Sequence, residues 1–279
     1  LRKQKYHLII WDLYPDVLVN FGVLKKTSWV LKRWVKLNEK CFGAAENIFT
    51  LGEHLSDAIL KYSGKIPVII PNWVNTDFVK PVDKSTNSFA IKHGLTNKLV
   101  VMYSGNLGLT HDIESIIETA DYLRGNEEIH FVIIGEGAKK TKIEQLVKDK
   151  KLNNVLMLTY QDKEVLPYSL SCADIGVVTL SQGAEMISVP SKTYYTLAAG
   201  SVILALASNQ SELGLLIEKH NCGKVFEVPQ KELVGEFIQE LLKNKEKLIS
   251  YKENARKASY NFTPENAKSY YDYIYDKSI

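Results

Sequence analysis

The fold of this chain is indicated by one stretch, Val189-Pro190-Ser191-Lys192-Thr193-Tyr194-Tyr195-Thr196-Leu197-Ala198-Ala199-Gly200, which precedes an apolar run from Val202 to Ala207. The pattern predicts a turn, a short helix and a buried strand. Pro190 favours the turn, and Ser191 is a residue type that caps a helix by accepting from backbone N–H groups. Gly200 can adopt the left-handed conformation that ends a helix. The stretch therefore predicts one helix–strand unit of an α/β fold.

Lys192 occupies an unusual place in this unit. The N-terminus of a helix carries partial positive charge, which disfavours a purely structural cation there. Helix N-termini also bind anions, so a lysine beside free N–H groups predicts half of a phosphate site. A solvated lysine on a surface turn is the alternative interpretation.

The composition limits the classes of protein to which the chain can belong. With 279 residues, it is long enough for about two domains. Its 45% hydrophobic and 24% charged residues are typical of a soluble globular protein. The net charge of +3 is too small to indicate a nucleic-acid partner, so none is predicted.

Cysteine usage and hydropathy predict a cytoplasmic location. Cys41, Cys172 and Cys222 are far apart, odd in number and without metal-ligand spacing, which favours a reducing compartment. We find no signal peptide and no apolar run of about 20 residues, so no membrane-spanning segment is expected. The sequence begins at Leu1 rather than Met and runs at once into a predicted strand, so we expect a fragment of a longer protein.

The first part of the chain predicts strands that alternate with helices. The predicted elements are a strand over His7–Trp11, a helix over 24–42, a strand over Asn47–Thr50, a helix over 53–62 and a strand over Pro67–Ile70. Asp12 follows the first strand, where open α/β sheets place ligands, so it is a candidate site residue. A turn or cap aspartate is the alternative.

The helix predicted over 24–42 combines apolar and basic residues. The apolar positions are Val30, Leu31, Trp34, Leu37 and Cys41, and the basic ones are Lys25, Lys26, Lys32, Arg33 and Lys36. A basic helix with tryptophans can lie on an anionic membrane, here the inner face of the cytoplasmic membrane. A helix packed on a sheet with its lysines in water is the alternative, and the sequence leaves both open.

A regular alternation of strands and helices follows the polar segment Lys80–Asn87. Strands are predicted over Leu99–Tyr103, Ile129–Ile134, Val155–Leu158, Ile175–Thr179 and Val202–Ala207 and near Val225; helices are predicted over 111–122, 138–149, 163–171 and Ser211–Lys219 and onward from Lys231. Buried strands separated by short helices predict a parallel sheet covered on both faces. Right-handed crossovers then place the C-terminal ends of all strands at one edge. The loops after these strands should therefore gather at one crevice.

Two glycine loops belong to this crevice. Ser104-Gly105-Asn106-Leu107-Gly108 connects a strand to a helix, and its glycines would let the backbone approach a ligand closely. Gly135-Glu136-Gly137 lacks the third glycine of a dinucleotide fingerprint, and no suitable acid follows, so we expect no NAD. Each loop taken alone could be a tight turn.

The helix–strand unit, the glycine loops and several further segments together resemble the retaining, family-4 type glycosyltransferases of GT-B fold. The segments that carry the resemblance are Val68–Asn75 with Phe78 and Pro81, Tyr103–Gly108, Val132–Gly137, Cys172–Ile175, the donor-helix stretch Val189–Gly200, Ala255-Arg256 and Phe262–Pro264. They cover about residues 65–276 well. The subgroup with similar Pro-Ser-Lys and Pro-Asn-Trp segments makes bacterial capsule, O-antigen or colanic-type polysaccharides.

The resemblance implies an α/β GT-B fold with two Rossmann-like domains, the N-terminal one incomplete here. We expect residues 1–77 to belong to the acceptor-side domain, residues 78–262 to form the domain that binds the nucleotide-sugar, and residues 263–279 to form a helix packing back toward the first domain. The family needs no essential metal, so no cofactor is expected. The implied partners are a nucleotide-sugar donor, with UDP favoured, and a saccharide or polyprenyl-linked acceptor.

This chain departs from the family at several positions. Where many relatives carry two glutamates, it has Ile187 and Tyr195, with Glu185 as a stand-in two residues early. Where many carry an arginine and a lysine for the diphosphate, it has Asn106 and His111. Because an uncompensated diphosphate in a closed cleft is costly, we expect Lys192 to be the replacement cation.

These arguments define a set of candidate site residues. The catalytic candidates are Asp12, Glu185 and Lys192; the donor-binding candidates are Gly105, Asn106, Gly108, His111, Gly135, Tyr160, Gln161, Ser191, Lys192, Tyr195 and Glu212. Glu212 is a candidate for the ribose, with a structural helix cap as the alternative. A nucleotide-sugar epimerase of the same fold and a non-catalytic nucleotide-sugar-binding fragment stay open as other functions.

Overall fold

Two parallel sheets with helices packed on them form the described part of the molecule. The computed structural model describes residues 4–20, 22–109, 111–180 and 190–275, which contain one three-stranded and one six-stranded sheet. All strand pairs in both sheets are parallel. The predicted α/β class is confirmed.

The first sheet has the order β1-β2-β3. Its strands are β1 (His7–Ile9), β2 (Asn47–Thr50) and β3 (Val68–Ile69), and its helices are α1 (Asp16–Asn20), α2 (Trp29–Ala44) and α3 (Glu53–Ser63). The helix predicted over 24–42 begins only at Trp29. Ser28 has extended backbone angles, and its N–H donates to the Lys25 carbonyl at 2.9 Å, so the preceding residues form a turn instead.

The second sheet has the order β6-β5-β4-β7-β8-β9. Its strands are β4 (Leu99–Ser104), β5 (Ile129–Ile134), β6 (Val155–Leu158), β7 (Ile175–Thr179), β8 (Val202–Leu206) and β9 (Gly223–Phe226). The helices of this part are α4 (Ser88–Lys92), α5 (Glu114–Tyr122), α6 (Lys140–Asp149), α7 (Leu166–Cys172), α8 (Lys192–Ala198), α9 (Glu212–His220), α10 (Lys231–Lys243) and α11 (Lys245–Ser259). β4 lies between β5 and β7, so the loop after β4 is central at the C-terminal edge.

The alternation of side chains along these strands places apolar residues on both faces of the second sheet. One face packs against α5, α6 and α10 in a single cluster that includes Val101, Phe131 and Leu204. On the other face, α8, α9 and α11 form one cluster, and α4 and α7 form a separate one. Burial of both faces explains why the strand sequences are nearly continuous apolar runs. On the second of these faces, the helices α7 and α8 are separated by a gap.

The short helix α4 was missed by the sequence analysis, which ended a polar segment at Asn87. In the structure the Asn87 side chain accepts from the N–H groups of Phe89 and Ala90 and caps this helix. Asn87 is itself buried. The capping residue type was therefore visible in the sequence, but the helix has only one turn and its periodicity is too short to detect.

The last described helix, α12 (Glu265–Tyr275), lies against the first sheet. Its Tyr270 ring lies 5.0 Å from the Phe49 ring and 6.2 Å from the Trp73 ring, measured between centroids. Tyr273 makes a second edge-on contact with Phe49 at 5.9 Å. Aromatic contacts in this distance range are favourable beyond the area they bury. The chain therefore returns to its N-terminal part after it completes the second sheet.

Arg256 on α11 connects the linker between the sheets to the end of α8. Its guanidinium donates to the carbonyls of Thr76 at 3.1 Å, Val79 at 3.2 Å and Ala198 at 2.8 Å. A guanidinium has five N–H donors in a fixed fork, so it can hold several carbonyls at once. Gly200 ends the helical segment with φ of 68°, the left-handed conformation that the sequence predicted.

A carboxylate from the second sheet region caps α3 of the first. Gly52 precedes α3 and has no side chain to cap it, and the Glu212 carboxylate accepts from the His54 N–H at 2.8 Å. A Cβ at Gly52 would lie 2.5 Å from that carboxylate, so glycine leaves room for it. The His54 ring Nε2 also donates to the Gln210 carbonyl at 2.7 Å. These contacts join the two sheet regions.

Asp174 is a buried carboxylate at the start of β7. It accepts from the ammonium groups of Lys84 and Lys252 and from the Val100 N–H. Burial alone would raise the pKa of Asp174, but the two ammonium groups and the hydrogen bonds outweigh it and hold the pKa below its usual range. One carboxylate thus ties the linker, α11 and the central strand β4 together.

We expect the substitution Asp174→Ala to lower the free energy of unfolding by about 3–5 kcal/mol, because it leaves two partly buried cations without their carboxylate. Denaturant titration measures this change, with Asp77→Asn as an exposed control. Since folding lowers the pKa of Asp174, its contribution is present above the unfolded value of 3.8 and is lost as the pH falls through the folded pKa. A loss no larger than that of Asp77→Asn would contradict this role.

The variant Glu212→Ala should lower the free energy of unfolding by about 1 kcal/mol, the usual size of a lost helix cap. Glu212→Gln should lose less, because the amide oxygen still accepts from the His54 N–H. Glu218→Ala, an exposed glutamate on the same helix, is the matched control. Equal stability of the Glu212→Ala and Glu218→Ala variants would show that the cap contributes nothing.

Candidate functional site

A cavity of about 450 Å³ lies in the gap between α7 and α8 and opens at the C-terminal edge of the second sheet. Its lining is mostly apolar, with a few polar side chains near the mouth. The lining residues are Met102, Ser104, Gly105, Asn106, His111, Tyr160, Leu166, Leu170, Ala173, Gly176, Val177, Ser191, Lys192, Tyr195, Thr196, Ala199 and Ser201. An apolar pocket with a few convergent polar groups is the usual form of a small-molecule site.

The two glycine loops interlock at this edge. The Gly105 N–H donates to the Ile134 carbonyl at 2.9 Å, and the Leu107 N–H donates to the Glu136 carbonyl at 2.8 Å. A Cβ at Gly135 would lie 1.9 Å from the Gly105 carbonyl oxygen, which only glycine permits. Gly135 therefore supports the first loop and does not itself line the cavity.

Lys192 extends from the first residue of α8 to the end of β4. Its ammonium donates to the Tyr103 hydroxyl at 2.8 Å and lies 4.1 Å from the centroid of the Tyr103 ring. Within the described residues, no carboxylate forms an ion pair with it. Burial lowers the pKa of Lys192 to about 8, so the side chain is mostly a cation at neutral pH.

The His111 ring lies beside this cation and is itself uncharged at neutral pH. Burial, with a contribution from the nearby Lys192 charge, lowers the pKa of His111 to about 4. Its ring Nδ1 lies 3.1 Å from the Thr179 hydroxyl oxygen at the end of β7. A neutral imidazole in this position offers one hydrogen bond to the cavity without adding charge.

A second lysine near the loop is already paired. Lys139 donates to the His111 carbonyl at 2.6 Å and to the Glu114 carboxylate at 2.8 Å, and Lys142 binds the same carboxylate at 2.9 Å. Partial burial pushes the pKa of Glu114 up, but these hydrogen bonds outweigh it and lower the pKa to about 2. Lys139 is therefore neutralised, whereas Lys192 is not.

The structure brings many of the predicted residues to this cavity. Those that line it are Gly105, Asn106, His111, Tyr160, Ser191, Lys192 and Tyr195. Gly108, Gly135 and Gln161 belong to the same loops but do not line it. Asp12 lies in the exposed loop after β1, outside the cavity. Glu185 lies outside the described residues.

Two local predictions need correction. Ser191 was expected to cap α8, but it has helical backbone angles and its side chain accepts no capping hydrogen bond. α8 also spans only seven residues, so its dipole adds little beside the Lys192 charge. Glu212 lines a different pocket and caps α3, as described above, so it does not reach the cavity as a ribose ligand.

Sequence reasoning missed two residues that contact the site side chains. Tyr103 and Thr179 are buried strand residues whose hydroxyl groups reach Lys192 and His111. Their position at the C-terminal ends of strands was the feature of the sequence that could have identified them. Among the residues that the structure describes, no group of three His, Cys, Asp or Glu side chains could hold a metal ion.

The comparisons with known proteins agree with this geometry. The family model "Glycosyl transferases group 1" matches residues 85–258. The chain is 28% identical over 225 residues to a Pseudomonas aeruginosa protein named as the glycosyltransferase WbjE. The aligned region covers 78% of this chain and 55% of that protein. The chain is also 28% identical over 217 residues to Escherichia coli WcaI, named as a colanic acid biosynthesis glycosyl transferase, with 76% and 53% covered. The chain thus spans about half the length of these relatives.

Solved structures share the fold. Anabaena HepE, in complex with UDP and glucose, superposes with a TM-score of 0.78 at 13% identity over 98% of this chain and 72% of its own. WaaG, a glycosyltransferase of lipopolysaccharide biosynthesis, superposes with a TM-score of 0.75 at 16% identity over 96% and 74%. These likenesses establish the GT-B fold, and the matched family model extends over more than half of the sequence. The chain belongs to the group 1 glycosyl transferases.

Proposed function

We propose that this chain carries the donor side of a retaining glycosyltransferase that moves a sugar from a nucleotide-sugar to a saccharide or lipid-linked acceptor. The observation that carries the proposal is Lys192. A partly buried cation without a carboxylate partner in the described chain, beside a glycine loop and an apolar cavity, fits the diphosphate of such a donor.

Transfer breaks the bond between the sugar C1 and the phosphate oxygen, and the electron pair stays on that oxygen. Catalysis therefore requires positive charge and hydrogen-bond donors near the leaving diphosphate. Lys192 supplies the charge, and the Asn106 amide and the neutral His111 ring supply donors. The N–H groups of Gly105 and Leu107 are already used between the two loops. An acceptor hydroxyl forms the new bond to C1, and its proton passes to the leaving phosphate oxygen.

The donor is proposed to be a UDP-sugar. HepE has been solved with UDP-glucose, and the structural neighbours TarM and GtfA have been solved with UDP. In this proposal the base lies against Tyr160 and Gln161, and Glu185 orients sugar hydroxyls. Because Lys192 and neutral donors serve the diphosphate, we propose that the reaction needs no metal. Transfer by the full-length protein in the presence of a chelator tests this.

The acceptor and its pathway are proposed from the relatives. WcaI is named for colanic acid biosynthesis and WaaG for lipopolysaccharide biosynthesis. We propose that this chain acts in the same general class, the assembly of a bacterial surface polysaccharide such as a capsule or O-antigen. Asp12, exposed after β1 in the first sheet region, remains the proposed acceptor-side candidate.

The outer face of α2 supports a peripheral contact with the inner face of the cytoplasmic membrane. No helix in the described ranges is both long and apolar enough to span a bilayer. On α2, Trp29 is 75% and Leu37 58% exposed, while Phe42 is buried against the first sheet region. Helical spacing puts Trp29, Leu37 and the basic residues Arg33, Lys36 and Lys40 on one outward face. That combination fits an anionic lipid surface.

We expect Lys192→Ala to weaken UDP binding by about 1–3 kcal/mol, the size of a hydrogen bond to a charged group. Isothermal titration calorimetry measures the change, and Lys148→Ala, an exposed lysine on α6, is the matched control. In the unsubstituted chain the affinity should fall as the pH rises past about 8, because the ammonium then loses its proton. Unchanged affinity in Lys192→Ala would refute the diphosphate assignment, and the absence of any nucleotide-diphosphate binding would refute the function.

For the membrane contact, the double substitution Trp29→Ser and Leu37→Ser should reduce co-sedimentation with phosphatidylglycerol vesicles at least about tenfold, because two exposed apolar anchors are lost. Ile66→Ser removes an even more exposed apolar residue outside α2 and should have no effect. Added salt should also weaken retention. Equal retention of both variants would argue against this surface.

A further inference from the structure

Tyr103 connects the glycine loop to Lys192. Its side chain is fully buried near the end of β4 and does not itself line the cavity. Burial raises the pKa of Tyr103 above its usual range, so the hydroxyl keeps its proton. That proton is donated to the Asn106 carbonyl at 2.7 Å. Toward Lys192 the hydroxyl is therefore an acceptor.

The two hydrogen bonds form one directed chain. Lys192 donates to Tyr103 at 2.8 Å, and Tyr103 donates to the loop carbonyl. Hydrogen bonds arranged in sequence polarise and strengthen one another. The Tyr103 ring adds a cation–π contact, with the ammonium 4.1 Å from its centroid. A neutral residue thus fixes a cation that has no ion-pair partner in the described chain.

The loop leaves space for this ammonium. Gly105 has a φ of 155°, and a Cβ there would lie 3.0 Å from the Lys192 nitrogen. An ammonium has three N–H donors, and Tyr103 uses one of them. The remaining donors form no hydrogen bond or ion pair with the described residues and can bind an anion at the cavity.

We propose that Tyr103 is a positioning residue that holds the Lys192 ammonium against the glycine loop, ready for the donor diphosphate. This inference rests on the proposed function, since it assigns a residue that prepares the same site. Lysine has a long side chain with much rotational freedom, and fixing it in advance lowers the cost of ordering it on binding. Tyr103 does this without neutralising the charge, as a carboxylate would.

The ionisable groups that face Lys192 come from several elements. Tyr103 lies on β4, His111 on the segment before α5, and Tyr160 on the loop after β6. Because His111 is neutral and burial raises the pKa of Tyr103, neither group competes for the lysine proton near neutral pH. Glu185 belongs to the segment outside the described residues.

A double-mutant cycle tests the proposal with UDP as the probe. Tyr103→Phe keeps the ring and removes the acceptor, and should weaken UDP binding about tenfold, the effect of one hydrogen bond to a charged group. In a Lys192→Ala background the same substitution should have almost no further effect, because its target is gone. Additive losses would show that Tyr103 acts independently of Lys192 and would overturn the proposal.

A second measurement needs no nucleotide. The apparent pKa of Lys192, obtained from the pH dependence of acylation at that residue, should be about 8 in the unsubstituted chain. It should fall in Tyr103→Phe, because the ammonium loses its acceptor. Tyr251→Phe, which removes another partly buried tyrosine hydroxyl, should leave it unchanged. An unchanged Lys192 pKa in Tyr103→Phe refutes the positioning role even if UDP binds.

The two measurements separate failure of this inference from failure of the proposed function. A normal pKa response without any UDP binding would support the Tyr103–Lys192 interaction and refute the proposed donor. Thermal unfolding of each variant shows whether it is folded. If Tyr103→Phe does not fold, Tyr103→Leu replaces it in both measurements: it lacks the hydroxyl and the ring, so UDP binding should weaken and the Lys192 pKa should fall at least as much. Failure of both variants to fold would show that Tyr103 is a structural residue and would overturn the positioning role.

Discussion

The close contact between the two glycine loops is the constraint on which the site depends. Gly135 has no side chain, so the Gly105 carbonyl can lie against its α-carbon, and backbone hydrogen bonds join the loop after β4 to the end of β5 and the loop that follows it. This contact fixes the backbone beside the cavity before any ligand is present. It also leaves, at Gly105, the space that the Lys192 ammonium occupies. Gly105 and Gly135 therefore determine both the backbone path beside the cavity and the space available to the Lys192 ammonium.

The alternation of strands and helices in the second sheet region could be predicted from the sequence because its strands are buried on both faces. Ile129–Ile134, Val155–Leu158 and Ile175–Thr179 were predicted with the bounds that the structure shows. Helix boundaries were predicted less well. The start of α2 depends on a turn at Lys25–Ser28, and the turn has no pattern that distinguishes it from a basic helical segment.

The site could be predicted only in part, because sequence order locates loops but not the direction of side chains. The rule that strand ends meet at one edge identified the loop at Gly105, His111 and Lys192. It could not show that Glu212 points to α3 rather than to the cavity, since that contact joins residues 158 positions apart. It also gave no role to Tyr103, whose buried ring resembles any other core residue until its hydroxyl partners are known.

The contacts of Arg256 have a mechanical consequence. Its guanidinium donates hydrogen bonds to the linker carbonyls of Thr76 and Val79 and to the carbonyl of Ala198, the last residue of α8. α8 is a short, stiff rod whose other end is Lys192. A rotation of the first sheet about the linker would therefore be transmitted through Arg256 to α8 and would shift Lys192 at its other end. The same guanidinium thus links the position of α8 to the path of the chain between the two sheets.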